Sequence, residues 1–324
     1  MPPPDSRCSR GNTMNVTTGS ITTLKGVQHV SATLTRKTVP GQVFLSGWRS
    51  HDDGISHTVI AHWPTRHPLY ASHVDRYNPL LLSETIRQSL ALLSHVAHEV
   101  PLDFRLGWES YDSSIVPAAL STRTPPSDVR LTITHTKVTR RRLGSTHLAA
   151  QITAVRDEEP LGIARVRYIA HPPAIYSRLR GEYADAQAAT ARALPLGPAL
   201  DEAVRGGATS LENALLSPLG EPNRWQLRVD TANRSFFDHA HDHIPGLLLL
   251  EAAAQAVHAM SGTTQIAPME FDARFVRYVE LDAPCWIEAT PLRRNRNGMV
   301  STDVTGEQNG RHVFSIHVTA GEPT

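Results

Sequence analysis

Two stretches of the chain carry helical periodicity, and each is bracketed by runs in which apolar and polar residues alternate. In the first, Ile86, Leu90, Leu93 and Ala97 recur on one 3.6-residue stripe and Pro101 closes the run, which predicts a helix. The second, residues 249–260, is apolar on nearly every side and rich in alanine, the pattern of a helix buried all round. A short strand-like run precedes each: HTVIAHW (57–63) and WQLRVD (225–230). After the first helix come DVRLTITHTKV, THLAAQITAV and GIARVRYIA; after the second come FDARFVRYVEL, CWIEATPL, MVSTDV and HVFSIHVTA. Residues 172–210 are rich in Pro and Gly and read as a linker with some helix. One buried helix followed by antiparallel strands, twice over, predicts an α+β chain whose sheet wraps a central helix.

The two halves also match each other. HPLYASHVDRYNPLLLSETIRQ (67–88) aligns without gaps on RSFFDHAHDHIPGLLLLEAAAQ (234–255), at an offset of 167 residues. The match pairs Asp75 with Asp242, Leu81 with Leu248, Leu82 with Leu249, Glu84 with Glu251 and Gln88 with Gln255. So long a period does not suit a solenoid and fits a duplicated domain. The expected organisation is an N-terminal extension (1–38), a first unit (39–171), a linker (172–214) and a second unit (215–324). The long helices should start near Leu80 and Leu247, with Glu84 and Glu251 related by a pseudo-twofold.

Composition narrows the class without naming it. A length of 324 residues suits two domains, and 40% hydrophobic with 19% charged residues is globular. Lys plus Arg (32) against Asp plus Glu (31) gives no case for bulk nucleic-acid binding. Only Lys25, Lys37 and Lys137 are lysines; the arginine bias suits phosphate or carboxylate recognition, and equally a GC-rich genome. Cys8 and Cys285 allow neither a disulfide framework nor a CxxC zinc site. The polar N-terminus has no signal-like apolar core and no apolar run reaches membrane-span length, so a soluble, cytoplasmic protein is expected. GxSxG, GxGxxG, Walker, HExxH and EF-hand patterns are all absent.

The chemistry must then come from scattered residues. An ionised Glu251 among Leu and Ala is costly unless paired, although a glutamate near a helix start is also simply stabilised by the dipole. Glu84 at the matching place favours acid–base work by paired carboxylates. Arg87 lies one turn from Glu84 on the same face, as a working cation or as a plain ion pair. The run FFDHAHDHIPG brings His239, His241 and His243 just ahead of the second helix. They read as a metal triad, as a general base beside a carboxylate, or as loop polarity; Pro245–Gly246 and the lack of a matching cluster in the first half argue against metal. No metal or other cofactor is expected. His95 and His98 read as surface polarity, and Cys285 has no basic neighbour to activate it. Arg140–Arg142 and Arg293, Arg294 and Arg296 fall at turns, as solvated hairpin ends or as contacts for an acidic carrier protein or a phosphate.

FFDHAHDHIPGLLLLEAAAQA resembles the FF…H…PG…E…Q pattern that opens the central helix of β-hydroxyacyl carrier-protein dehydratases. The fuller likeness is to the A-factor biosynthesis (AfsA-like) family of γ-butyrolactone autoregulator synthases. It is carried by VFLSGW (43–48), HWPTRHPLY (62–70), NPLLLSETIRQ (78–88), WQLRVDTANRSFFDHAHDHIPGLLLLEAAAQA (225–256) and FDARFVRYVELDAP (271–284). The resemblance implies a double hot-dog fold, two hot-dog domains packed as a pseudo-dimer. It implies transfer of a β-ketoacyl chain from an acyl carrier protein to dihydroxyacetone phosphate, with no nucleic-acid or membrane partner. The ester leads on to butyrolactone, butenolide or furan signals.

Carried over residue by residue, the resemblance implies catalytic roles for Glu84, His239 and Glu251, and substrate contacts for Arg87, Gln88, Gly246, Gln255 and His73. The arginine usual three residues after the second glutamate is Ala254 here, which leaves Arg87 as the arginine candidate. By analogy with the dehydratase dimer, His239 would meet Glu84, and His73 or Ser72 would meet Glu251. Acyl transfer needs a base for the alcohol proton and donors for the oxyanion; a glutamate or His239 serves as the first, the helix amides after Gly246 as the second. Rival readings are a dehydratase or thioesterase of hot-dog type, or a non-catalytic protein that binds an acyl carrier protein or a lactone.

Overall fold

In the computed structural model, which describes residues 26–71, 76–122, 128–201, 211–263 and 266–322, the first apolar stripe forms α1 (Leu80–Val96). The Asn78 side chain opens this helix by accepting the Leu80 amide at 2.9 Å. Strands β1 (Gln28–His29), β2 (Leu45–Ser50) and β3 (Ser56–His62) precede it; β4 (Arg105–Ile115), β5 (Asp128–Arg140), β6 (Thr146–Arg156) and β7 (Glu159–His171) follow. The linker holds α2 (Pro173–Arg180) and α3 (Ala186–Ala191). In the second half, β8 (Leu216–Pro218) and β9 (Arg224–Leu227) lead to α4 (Gly246–Ser261). Then come β10 (Ala267–Phe275), β11 (Cys285–Ala289), β12 (Arg293–Arg294), β13 (Val300–Gln308) and β14 (Arg311–Gly321). The apolar helix α4 stops at Gly262, which takes the left-handed conformation (φ 66°) and returns its amide to the His258 carbonyl.

All strands join one antiparallel sheet of 14. Outward from the β4–β10 junction, the first half runs β7, β6, β5, β3, β2, β1 and the second runs β14, β13, β11, β9, β8, with β12 beside β13. The order is therefore the same in both halves from the junction out to β2 and β8, while β1 at the first edge has no counterpart and β12 adds a short strand beside β13. At the junction Asp112 registers with Asp272, with Ser114–Glu270 and Ser110–Arg274 placed symmetrically on either side, the register of a twofold strand pair. Both terminal hairpins turn on two residues of positive φ, Asp157–Glu158 before β7 and Asn309–Gly310 before β14, the type that matches strand twist. The sheet's alternating residues, such as Val129, Leu131 and Ile133 on β5 and Phe314, Ile316 and Val318 on β14, are fully buried in one core with both long helices. The fold is the expected α+β double hot dog.

Two details differ from the sequence pattern. The run at 271–281 is strand only as far as Phe275, because Val276 and Arg277 both give their amides to the Val313 carbonyl and turn the chain. Residues assigned to the N-terminal extension also belong to the fold: β1 pairs with β2, and Lys37 is buried against α1. Among the described residues no helix is long and apolar enough to cross a membrane.

Candidate active site

The matched glutamines explain the repeat first. The Gln88 amide donates to the Gln42 carbonyl (2.7 Å) and to Glu84 Oε1 (2.8 Å), and accepts from the Phe44 amide (3.0 Å). Gln255 repeats the pattern with the Asn213 carbonyl (2.8 Å), Glu251 Oε1 (3.0 Å) and the Leu215 amide (2.9 Å). Each glutamine therefore ties its helix to the chain just ahead of β2 or β8 and holds its glutamate. Expected as substrate contacts, both are instead buried, with their amides taken up by the chain itself.

The glutamates they hold differ. Glu84 is buried and receives a two-pronged contact from Arg87, Nε to Oε2 at 2.7 Å and the terminal nitrogen to Oε1 at 2.8 Å, while Lys37 Nζ stands 3.2 Å from Oε1. Burial alone would raise its pKa, but Arg87, Lys37 and the Gln88 hydrogen bond outweigh that and hold it at about 2. Glu251 has no such cation among the described residues; burial raises its pKa against hydrogen bonds from Gln255 and, at 3.3 Å, from Asn78 of the other half. Tyr70 is buried close enough to feel both carboxylates, and its hydroxyl has no hydrogen-bond partner among the described residues.

A cavity of about 1090 Å³ opens beside Glu84. Its wall includes Glu84, Arg87 and Lys37 from the first half, and Asp238, His239, His241, Gly246 and Leu247 from the second. The structure thus brings Glu84, Arg87, His239 and Gly246 to one place; Gln88, Glu251 and Gln255 do not line it. His73, and the Ser72 beside it, lie outside the described residues.

The loop before α4 is held by alternating Asp–His pairs. Asp238 Oδ1 lies 2.6 Å from His239 Nδ1, and Asp238 Oδ2 accepts the Thr38 amide at 2.7 Å. Asp242 Oδ1 lies 2.8 Å from His243 Nδ1, and its other oxygen accepts the Tyr176 hydroxyl. Burial would raise both aspartates, but the histidine contacts and nearby cations keep them well below the usual carboxylate range. Arg180 of α2 bonds to Asp242 and, two-pronged, to Glu280, which pins the linker to this loop. The Asp238 contact fixes the His239 ring with Nδ1 protonated and leaves Nε2 as an acceptor, the arrangement of an oriented general base.

His241 is different: burial, then His239 and His243, press its pKa down to about 3, so it stays neutral. A donor atom from each of Asp238, His239 and His241 falls within 4.8 Å of the others, a possible ligand set from which His243 is absent. Cys285 is buried and its thiol is pushed up to about 12, which leaves no thiolate nucleophile among the described residues.

Sequence reasoning passed over Lys37, Thr38, Asn78 and Asp238. Lys37 and Thr38 precede the segments that carry the resemblance, the first of which begins at Val43. Asp238 carried a legible signal, the Asp–His dipeptide repeated at Asp242–His243.

Fold and site together define a double hot-dog protein with a cavity shared between its halves. The chain belongs to the A-factor biosynthesis hotdog domain family, whose pattern matches residues 22–171 and 207–321. It is 34% identical over 284 residues to a 2-oxo-3-(phosphooxy)propyl 3-oxoalkanoate synthase of Streptomyces virginiae, covering 87% of this chain and 94% of that one. A protein of the same name from Streptomyces griseus is 31% identical over 299 residues, covering 89% and 94%. Among solved structures, an acyl-ACP thioesterase from Bacteroides thetaiotaomicron aligns at 11% identity with a TM-score of 0.47, over 84% of this chain and 100% of that one.

Proposed function

We propose that the protein is an acyltransferase that moves a β-ketoacyl chain from an acyl carrier protein thioester to the hydroxyl of dihydroxyacetone phosphate, on the way to a γ-butyrolactone-type signal. The name of the relatives describes the ester such a reaction makes, a 3-oxoalkanoate joined to a 2-oxo-3-(phosphooxy)propyl group. We take residues 39–171, with the segment from Gln28 that packs onto them, and 215–324 as the two units and 172–214 as their link.

The observation that carries the reading is the Asp238–His239 pair on the wall of a cation-rich cavity. His239 Nε2 takes the proton of the acceptor hydroxyl, and the oxygen attacks the thioester carbonyl. The first turn of α4 at Gly246 and Leu247 offers amides to the oxyanion. When the intermediate collapses, the C–S bond breaks and the imidazolium returns its proton to the departing thiolate. No acyl-enzyme is needed, in keeping with the buried, protonated Cys285 thiol.

Glu84 serves this scheme as an anion that never titrates near neutrality. It holds Arg87 and Lys37 in the wall and is not the base. The phosphate falls to Arg36 and Arg105, which line the same cavity and bond to no carboxylate among the described residues, with Arg87 behind them. Burial, then Arg105 and Arg87, lowers the pKa of Arg36; a dianionic ligand would relieve that crowding. Incubating the protein with a β-ketoacyl carrier-protein thioester, with and without dihydroxyacetone phosphate, tests the assignment. Phosphorylated ester formed only with the acceptor supports it. Free acid formed equally without the acceptor makes the protein a thioesterase.

A further inference from the structure

Three histidines in the first half meet at a place the acyl-transfer scheme does not use. His57 lies on β3, His135 on the neighbouring β5, and His98 just beyond the C-terminal end of α1. Their ring centroids are 4.2 Å (His98–His135), 5.9 Å (His57–His135) and 6.0 Å (His57–His98) apart. One ring nitrogen from each falls within 4.8 Å of the other two. His57 Nε2, His98 Nε2 and His135 Nδ1 are all buried, and none has a hydrogen-bond partner among the described residues. Three unpartnered buried nitrogens in one small space carry an appreciable desolvation cost unless something binds them.

The opposite ring nitrogens of His57 and His135 are engaged. His57 Nδ1 lies 3.1 Å from Ser50 Oγ, and His135 Nε2 lies 2.9 Å from the Tyr168 hydroxyl. The Tyr168 oxygen also accepts from Ser94 Oγ at 3.2 Å. In the tautomer with the His135 proton on Nε2, the unpartnered Nδ1 carries a bare lone pair. Orientation of a ring through its far nitrogen is how proteins set metal-binding histidines.

We propose that His57, His98 and His135 form a three-imidazole site for a divalent transition ion of zinc type. A set of three imidazoles with no carboxylate selects zinc, cobalt or nickel over calcium or magnesium and leaves a fourth position for water. The ion would clamp the end of α1 to β3 and β5. None of the three histidines lines the large cavity, so the role is structural. His98, which sequence pattern alone assigns to the solvated helix surface, becomes the ligand from α1.

The test uses full-length protein stripped with a chelator and titrated with Co(II), then with Zn(II). The expected result is one equivalent of Co(II) bound with the intense visible bands of a low-coordinate site. Zn(II) should raise Tm, and both effects should vanish in His98→Gln and persist in His239→Gln. X-ray absorption of the zinc-loaded wild type should count three imidazoles, which decides the matter without relying on a variant that folds. Failure to bind Co(II) at micromolar concentration would overturn the proposal and leave a trapped water among the rings. Survival of the signal in His98→Gln, or its loss in His239→Gln, would also overturn it by placing the ion at Asp238, His239 and His241.

Discussion

Asn78 Nδ2 donates to Glu251 Oε2 at 3.3 Å, so the residue that opens the helix of one half also serves the buried carboxylate of the other. Removing that donor leaves a buried acid with a single hydrogen-bond source. Asn78→Ala should therefore cost about 1–3 kcal/mol of stability. Denaturant unfolding at neutral pH measures it; a change within a few tenths of a kcal/mol would count against the link.

The two glutamates should respond oppositely to pH. The pKa of Glu84 is lowered to about 2, so its stabilisation is present above the unfolded carboxylate value and is lost as pH falls from about 4.5 toward 2. That of Glu251 is raised, so the folded state holds its proton more tightly than the unfolded state, and stability falls as pH rises past the unfolded value. Glu84→Gln should cost about 3–5 kcal/mol near neutrality by leaving Arg87 and Lys37 unmatched. Glu251→Gln should gain relative to the wild type between pH 4.5 and 7. Unfolding curves at several pH values separate the two outcomes. In the transfer assay the larger loss should follow Glu84→Gln, provided both variants fold.

His239→Gln should lower kcat about 10²–10⁴-fold, the usual worth of a general base. Asp238→Asn should also lower it, because the ring loses its orienting acceptor. Circular dichroism showing an intact fold with unchanged turnover would remove His239 from the chemistry.

Arg36→Gln and Arg105→Gln should raise KM for dihydroxyacetone phosphate about tenfold or more, as loss of a charged hydrogen bond of about 1.5–3 kcal/mol implies. Neither should alter turnover with unphosphorylated dihydroxyacetone. An equal effect on both acceptors would move the phosphate elsewhere.

Much of this fold was legible because burial leaves a periodic trace. The stripe Ile86, Leu90, Leu93 located α1, and the all-round apolar run located α4. The pair Glu84–Gln88 recurring as Glu251–Gln255 exposed the duplication, since both glutamines make the same three bonds. What stayed hidden depends on pairing across long sequence distances. Lys37 meets Glu84, Thr38 meets Asp238, and His57, His98 and His135 converge from three elements with no spacing rule to join them. That the two glutamines, expected to touch substrate, spend their amides on the chain itself was hidden for a related reason. A buried amide in a matched position answers to the backbone beside it, which the pattern of side chains does not display.

The β4–β10 seam has a consequence for how such a molecule can change. In a homodimer joined by the same strand pairing, every mutation is made twice, and the two clefts must remain identical. Here the partners are one polypeptide, so Arg87 can stand in one half while Ala254 stands at its counterpart. One cleft is free to gather cations and an oriented imidazole, and the other is free to give up those costs. Dilution cannot separate the contributors, because the neighbour that completes the site is always supplied by the same chain.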